Sequence, residues 1–122
     1  MIFVTADRCR SQLEGLAQLL VSAFPGSTIY QHTDLCRVSH DVLNNRVDAV
    51  FLETEIDKAN SLNFVKMLRR HKSNLPVFII SRTEELREEA AAVGANHYFV
   101  HPITEQQLRD AIQSVKMKET AS

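Results

Sequence analysis

Leu75-Pro76-Val77-Phe78-Ile79-Ile80-Ser81 places an unbroken apolar run, Val77 to Ile80, between a proline and a serine. Successive side chains of a strand point to opposite faces, so an apolar run without alternation is buried on both faces. Helices packed on each side of a parallel sheet produce that burial. Working outward, Ala49 to Leu52 and Ile2 to Val4 read in the same way, and Tyr98 to Val100 supplies a further short run. Thr28-Ile29-Tyr30-Gln31 alternates polar with apolar, as suits a strand at the edge of the sheet.

Between these runs the apolar period changes to that of a helix. Leu13, Leu16, Ala17, Leu20 and Phe24 fall at steps of three and four, and Pro25-Gly26 ends the stripe. Leu62, Phe64, Val65 and Leu68 repeat the pattern, as do Leu86, Ala90 and Val93, and then Leu108, Ile112 and Val115. Leu35 to Asn45 holds the poorest stripe, with only Leu35, Val38, Val42 and Leu43 in phase. Gly94 fits a left-handed helix C-cap. Strands alternating with helices, joined by right-handed crossovers, predict a doubly wound α/β domain with helices on both faces of a five-stranded parallel sheet, in the order 2-1-3-4-5. Residues 1–117 form that one domain and 118–122 a polar tail.

Composition agrees with one globular domain. The 122 residues are 44% hydrophobic and 24% charged, enough to bury a core without disulfides or a structural metal. Fourteen Lys and Arg against fifteen Asp and Glu give a formal charge of -1, which excludes a global field drawing the surface to nucleic acid or anionic lipid. The apolar runs fall far short of the roughly 20 residues that span a bilayer. Met1 leads directly into Ile2-Phe3-Val4 with no basic stretch before an apolar one, so no signal peptide is read and a cytoplasmic location is expected. Cys9 and Cys36 lack paired spacing and are expected to be reduced thiols.

In a doubly wound sheet the ligand crevice lies beyond the carboxyl ends of the strands. That rule selects Thr5, Ala6 and Asp7; Glu53; Ser81 and Arg82; and His101 with Pro102. Together with Val47-Asp48-Ala49-Val50-Phe51-Leu52-Glu53, Leu75 to Ser81 and Gly94-Ala95-Asn96-His97-Tyr98-Phe99-Val100-His101-Pro102, these residues make the chain resemble the receiver domains of bacterial two-component response regulators, over about residues 1–117. The resemblance implies a flavodoxin-like receiver fold and a signalling function in a phosphorelay. Family members take a phosphoryl group from a histidine kinase onto an Asp at the end of the third strand, with Mg²⁺ held by an acidic pair after the first.

Carried over residue by residue, the resemblance puts Thr5 and Ala6 at the acid-pair positions, Glu53 at the phosphoacceptor, His101 at the lysine and Arg82 after the switch hydroxyl. All depart from the family pattern, whereas Ser81 and Tyr98 match the switch hydroxyl and aromatic. The extra methylene of Glu53 displaces its carboxylate by about 1.5 Å, which spoils an in-line attack geometry. The departures are mutually consistent: a site with three carboxylates needs cations, and removing two makes the cations dispensable. Glu53 can then be held by Ser81, Arg82 or His101. This is the pattern of a degenerate receiver, or pseudoreceiver.

Asp7 reads as an N-cap for a helix beginning near Arg8. His101 is expected to pair with Glu53, with a cap on the turn before Pro102 as its structural role. Lys66, Arg69, Arg70 and Lys72 read as a solvated helix face. Glu84, Glu85, Glu88 and Glu89 with Arg82 and Arg87 read as the charged side of the fourth helix, able to pair across a homodimer through the fourth helix, fifth strand and fifth helix. The functional expectation is a regulatory protein-interaction module, not an enzyme, without metal or cofactor. Its partner is an output domain, a kinase or another regulator, with no membrane and no direct nucleic-acid contact. The alternative is a working phosphoacceptor with unusual residues. A cofactor-binding domain on the same fold ranks third, because the segment after the first strand has no glycine for a phosphate loop.

Overall fold

The computed structural model describes residues 1–56, 59–72 and 74–121, with side chains described apart from positions 55, 59 and 117–121. The chain alternates β1 (Ile2–Ala6), α1 (Arg10–Ala23), β2 (Thr28–His32), α2 (Leu35–Asn44), β3 (Ala49–Glu53), α3 (Ser61–His71), β4 (Val77–Ser81), α4 (Arg87–Val93), β5 (His97–Val100) and α5 (Glu105–Ala121). The main strands form one parallel sheet in the order β2-β1-β3-β4-β5. This is the order expected from the sequence, with β2 at the edge. A short antiparallel ladder, Glu55–Ile56 with Ala59–Asn60, follows β3 and was not foreseen. At the other end, α5 continues to Ala121 through the segment read as a tail, and Ser122 lies outside the described residues.

The period of two along each strand sorts side chains into two cores of different chemistry. Val4, Val50, Leu52, Val77 and Ile79 face α2, α3 and α4 in an aliphatic layer. Phe3, Phe51, Phe78 and Phe99 face α1 and α5 in an aromatic one. Ring centroids lie 5.9 Å apart for Phe3 and Phe51, 4.9 Å for Phe51 and Phe78 and 6.0 Å for Phe78 and Phe99, so the rings form a continuous row across four strands. Offset and tilted contacts at these separations add to area burial.

Local signals explain the helix ends. The weakly striped α2 is started by Asp34, whose carboxylate accepts from Arg37 N–H at 2.9 Å. It is tied to the sheet by Asp41, which bonds His32 at the end of β2. Gly94 closes α4 with φ 105°, and a Cβ there would meet the Arg69 side chain at 3.0 Å, so both backbone and packing require glycine.

Arg69 does not belong to a solvated face as the sequence suggested. Its guanidinium turns inward at the amino edge of the sheet. Nε donates to Gly94 O at 2.9 Å and Nη2 to Asn96 Oδ1 at 2.7 Å, while Nη1 reaches Leu75 O and Lys72 O. Asn96 Oδ1 also accepts from Val77 N–H at 2.8 Å. One side chain therefore joins the end of α3, the entry to β4 and the turn between α4 and β5. Arg69→Ala is expected to lower stability by about 2 kcal/mol or more, because several carbonyls lose their donor at once. Urea unfolding should show a lower midpoint at unchanged slope.

Candidate functional site

Parallel strands bring all their carboxyl ends to one edge, and the ladder geometry continues into the turns. Asp7 N–H bonds His32 O at 3.2 Å, Thr54 N–H bonds Ile80 O at 3.1 Å and His101 N–H bonds Ser81 O at 3.0 Å. Ala6 is in register with Leu52, so the next residues along, Asp7 and Glu53, leave the sheet side by side. Thr5 is fully buried within β1 and its Oγ1 finds no hydrogen-bond partner, and Ala6 is also buried. The carboxylate that β1 delivers to the crevice is thus Asp7, one residue beyond the pair singled out from the sequence.

Asp7 is not the helix N-cap. Cys9 occupies that position, without a side-chain cap, and Asp7 Oδ1 instead accepts from Cys9 N–H at 2.8 Å in a local turn. Cys9 and Cys36 are both free thiols. The Cys9 thiol lies 3.1 Å from Ser11 Oγ, and that hydrogen bond holds it below the usual thiol range.

Glu53 is half-buried, and its Oε2 is an enclosed atom with no hydrogen-bond partner. Loss of water around the carboxylate pushes its pKa up, and the charge of Asp7 pushes further in the same direction. The guanidinium and backbone N–H of Arg8 and the guanidinium of Arg82 oppose this shift. Arg82 therefore acts on Glu53 as anticipated, Arg8 was missed, and His101 is not among the groups acting on Glu53. The expected pairing of Glu53 with His101 is absent. His101 faces a groove beside Asp7 instead, with a cis bond to Pro102.

The backbone of Glu53 is held from behind. The buried Ser61 hydroxyl donates to Glu53 O, Ser61 N–H reaches Thr54 O at 3.3 Å, and Asn60 caps α3 by accepting from Leu62 N–H at 2.8 Å. Asn60-Ser61 before an apolar stripe is a helix-start signal in the sequence. Its link to the strand end required the fold.

Ser81 and Tyr98 meet through one loop. Ser81 Oγ accepts from Thr83 N–H at 3.3 Å, and Tyr98 Oη donates to Thr83 O at 2.6 Å. The Tyr98 ring is buried, with the Arg87 guanidinium 5.0 Å from its centroid. Arg87 also donates to Tyr98 O at 3.1 Å and pairs with Glu84. The charged run read as one side of the fourth helix thus divides: Arg82, Glu84 and Glu85 precede α4, and Arg87 is engaged within the chain.

Residues 3–113 match the model of the response regulator receiver domain, and the chain belongs to that family. Receiver domains are regulatory signalling domains of two-component systems. Similar solved structures include a response regulator receiver domain protein from Clostridium thermocellum, with a TM-score of 0.86, 18% identity and 98% of this chain and 97% of that chain covered. The receiver domain of Francisella response regulator 1452 gives 0.83, 17%, 97% and 98%. NtrX from Brucella abortus, solved in complex with ADP, gives 0.85, 18% and 98% of this chain, which spans 29% of NtrX. At these identities the likeness to the solved structures is one of fold. No curated protein sequence matches the chain. Among the described residues no helix is long and apolar enough to cross a membrane.

The family implies Mg²⁺ at this edge, a hard cation on oxygen ligands. The donor set here is the Asp7 and Glu53 carboxylates, with one Asp7 oxygen engaged by Cys9 N–H. Among the described residues, no group of three His, Cys, Asp or Glu converges to hold a metal. Arg8 and Arg82 already direct positive charge at Glu53. Two carboxylates thus stand where the family carries three, with guanidinium charge beside them.

A carboxyl whose pKa rises on folding favours the native state only when protonated, so Glu53 weakens the fold as pH climbs from its ordinary range through the raised value. Glu53→Gln is expected to raise the melting temperature by a few degrees at pH 7, with the gain disappearing below roughly pH 4. Calorimetric melting of both proteins across that range measures it.

Proposed function

We propose that this receiver domain is a phosphorylation-independent regulatory module that works by binding a protein partner: an output domain, a kinase or another regulator. The observation carrying this reading is the environment of Glu53. At the position where the family places its phosphoacceptor, the side chain is longer and enclosed, and it is balanced between Asp7 on one side and Arg8 and Arg82 on the other. Phosphoryl transfer concentrates negative charge that metal ions and a lysine neutralise in such sites. Here Thr5 and Ala6 stand at the acid-pair positions and His101 at that of the lysine, and the guanidiniums act on the resident carboxylate.

The switch pair supports the same reading. Ser81 is engaged with Thr83 N–H, and Tyr98 is held inward by Thr83 O and Arg87. With no reversible phosphoryl group to draw Ser81 away, a partner shifts this domain only by binding one conformation better than another. Nuclear magnetic relaxation dispersion should show Tyr98 in a single environment in the free protein. Exchange between two well-populated states would contradict the fixed switch.

Intact mass after incubation with Mg²⁺ and a small acyl phosphate tests the function directly. The wild-type chain should gain no phosphoryl group, and calorimetric titration with millimolar Mg²⁺ should be flat. The variant carrying Thr5→Asp, Ala6→Asp, Glu53→Asp, Arg82→Ala and His101→Lys should recover both signals. A phosphoryl group on the wild-type chain would establish a working phosphoacceptor instead.

A further inference from the structure

A groove of about 380 Å³ runs along α1 on the side facing α5 and opens at the carboxyl edge of the sheet. Its volume falls within the range of small-molecule pockets. Leu16 and Leu19 line it from α1, and Ile80 and Ile103 line it from the strand ends and the turn after β5. The polar groups are concentrated where α1 begins: Asp7, nine-tenths buried, together with Ser11, Gln12 and the His101 imidazole. Asp7 is the one carboxylate among the lining residues, and Glu53 stands beside it as a second acid. Arg8 and Arg82, the cations nearby, act on Glu53 and do not line the groove.

Gly15 is the second observation. It lies within α1 and lines the groove, yet its φ is not in the left-handed region and a Cβ built on it meets nothing within 4 Å. Neither backbone conformation nor close packing calls for glycine there. A glycine inside a helix is less stable than alanine. The visible effect of the missing side chain is an open wall along the groove.

We propose that this groove binds a small amphipathic cation, an amine or guanidine with a short apolar body. The cationic head donates to the Asp7 carboxylate, and the body lies against Leu16, Leu19, Ile80 and Ile103. A charge-assisted hydrogen bond to a nearly buried carboxylate fixes orientation, and the apolar walls supply the area. The inference is independent of whether Glu53 accepts a phosphoryl group, since it uses Asp7 and the α1 wall.

The test is a heteronuclear NMR titration of the full chain with 2-phenylethylamine, alongside 2-phenylethanol and 3-phenylpropionate as neutral and anionic counterparts. Saturable shifts are expected for the amine at residues of α1, Ile80 and Ile103, with at least tenfold weaker binding of the alcohol and none of the acid. Gly15→Leu fills the groove from a position with room for a side chain and should abolish binding while leaving the fold intact. Asp7→Asn should weaken binding at least tenfold. Equal binding by the acid, unchanged binding by Gly15→Leu, or no saturable shift with the amine would overturn the proposal. So would groove shifts that appear on raising protein concentration alone, which would identify a second copy of the chain as occupant. Tighter binding of N-acetyl-lysine methylamide than of the free amine would point to a side chain inserted by a protein partner and would also overturn it.

Discussion

Burial of β3 on both faces is the constraint from which the rest of this architecture follows. Phe51 sits in the aromatic layer under α1 and α5, and Val50 and Leu52 sit in the aliphatic layer under α2, α3 and α4. A strand enclosed in this way leaves only its ends accessible. Because its neighbours β1 and β4 run parallel to it, their loops gather at the same edge. The meeting of Asp7, Glu53, Ser81 and His101 is therefore a result of sheet topology before any side-chain chemistry enters.

Strand identity, strand order and the C-cap at Gly94 were legible because each rests on a local rule: unbroken apolar runs, one alternating edge run, and a glycine after a helical stripe. The site was legible only to the level of which turns compose it. Where β1 ends decides which of Thr5, Ala6 and Asp7 reaches the crevice, and a period of two gives no sign of the residue at which a strand stops. Arg69 shows a different limit. It shares a basic run with Lys66, Arg70 and Lys72, and only the approach of Gly94 and Asn96, distant in sequence, distinguishes an inward guanidinium from a solvated one. The expected pairing of His101 with Glu53 failed for a related reason. Arg8, a loop residue with no motif of its own, acts on the carboxylate instead.

At Glu53, loss of water and the charge of Asp7 act against the two guanidiniums of Arg8 and Arg82. A receiver with several carboxylates is poised by repulsion, and a cation relieves it. In this chain the repulsion is reduced to one neighbouring pair, Asp7 and Glu53, and two guanidiniums supply fixed compensation. The charge around Glu53 is set by the chain itself, with Tyr98 buried and engaged at the neighbouring loop.

The Arg69 network lies at the amino edge of the sheet, opposite Asp7 and Glu53. The path of the chain is fixed at both edges, there by one guanidinium and at the carboxyl edge by the Ser61 and Thr83 bonds, and backbone groups take part in most of these contacts. Fold likeness at a TM-score of 0.86 can therefore coexist with 18% identity.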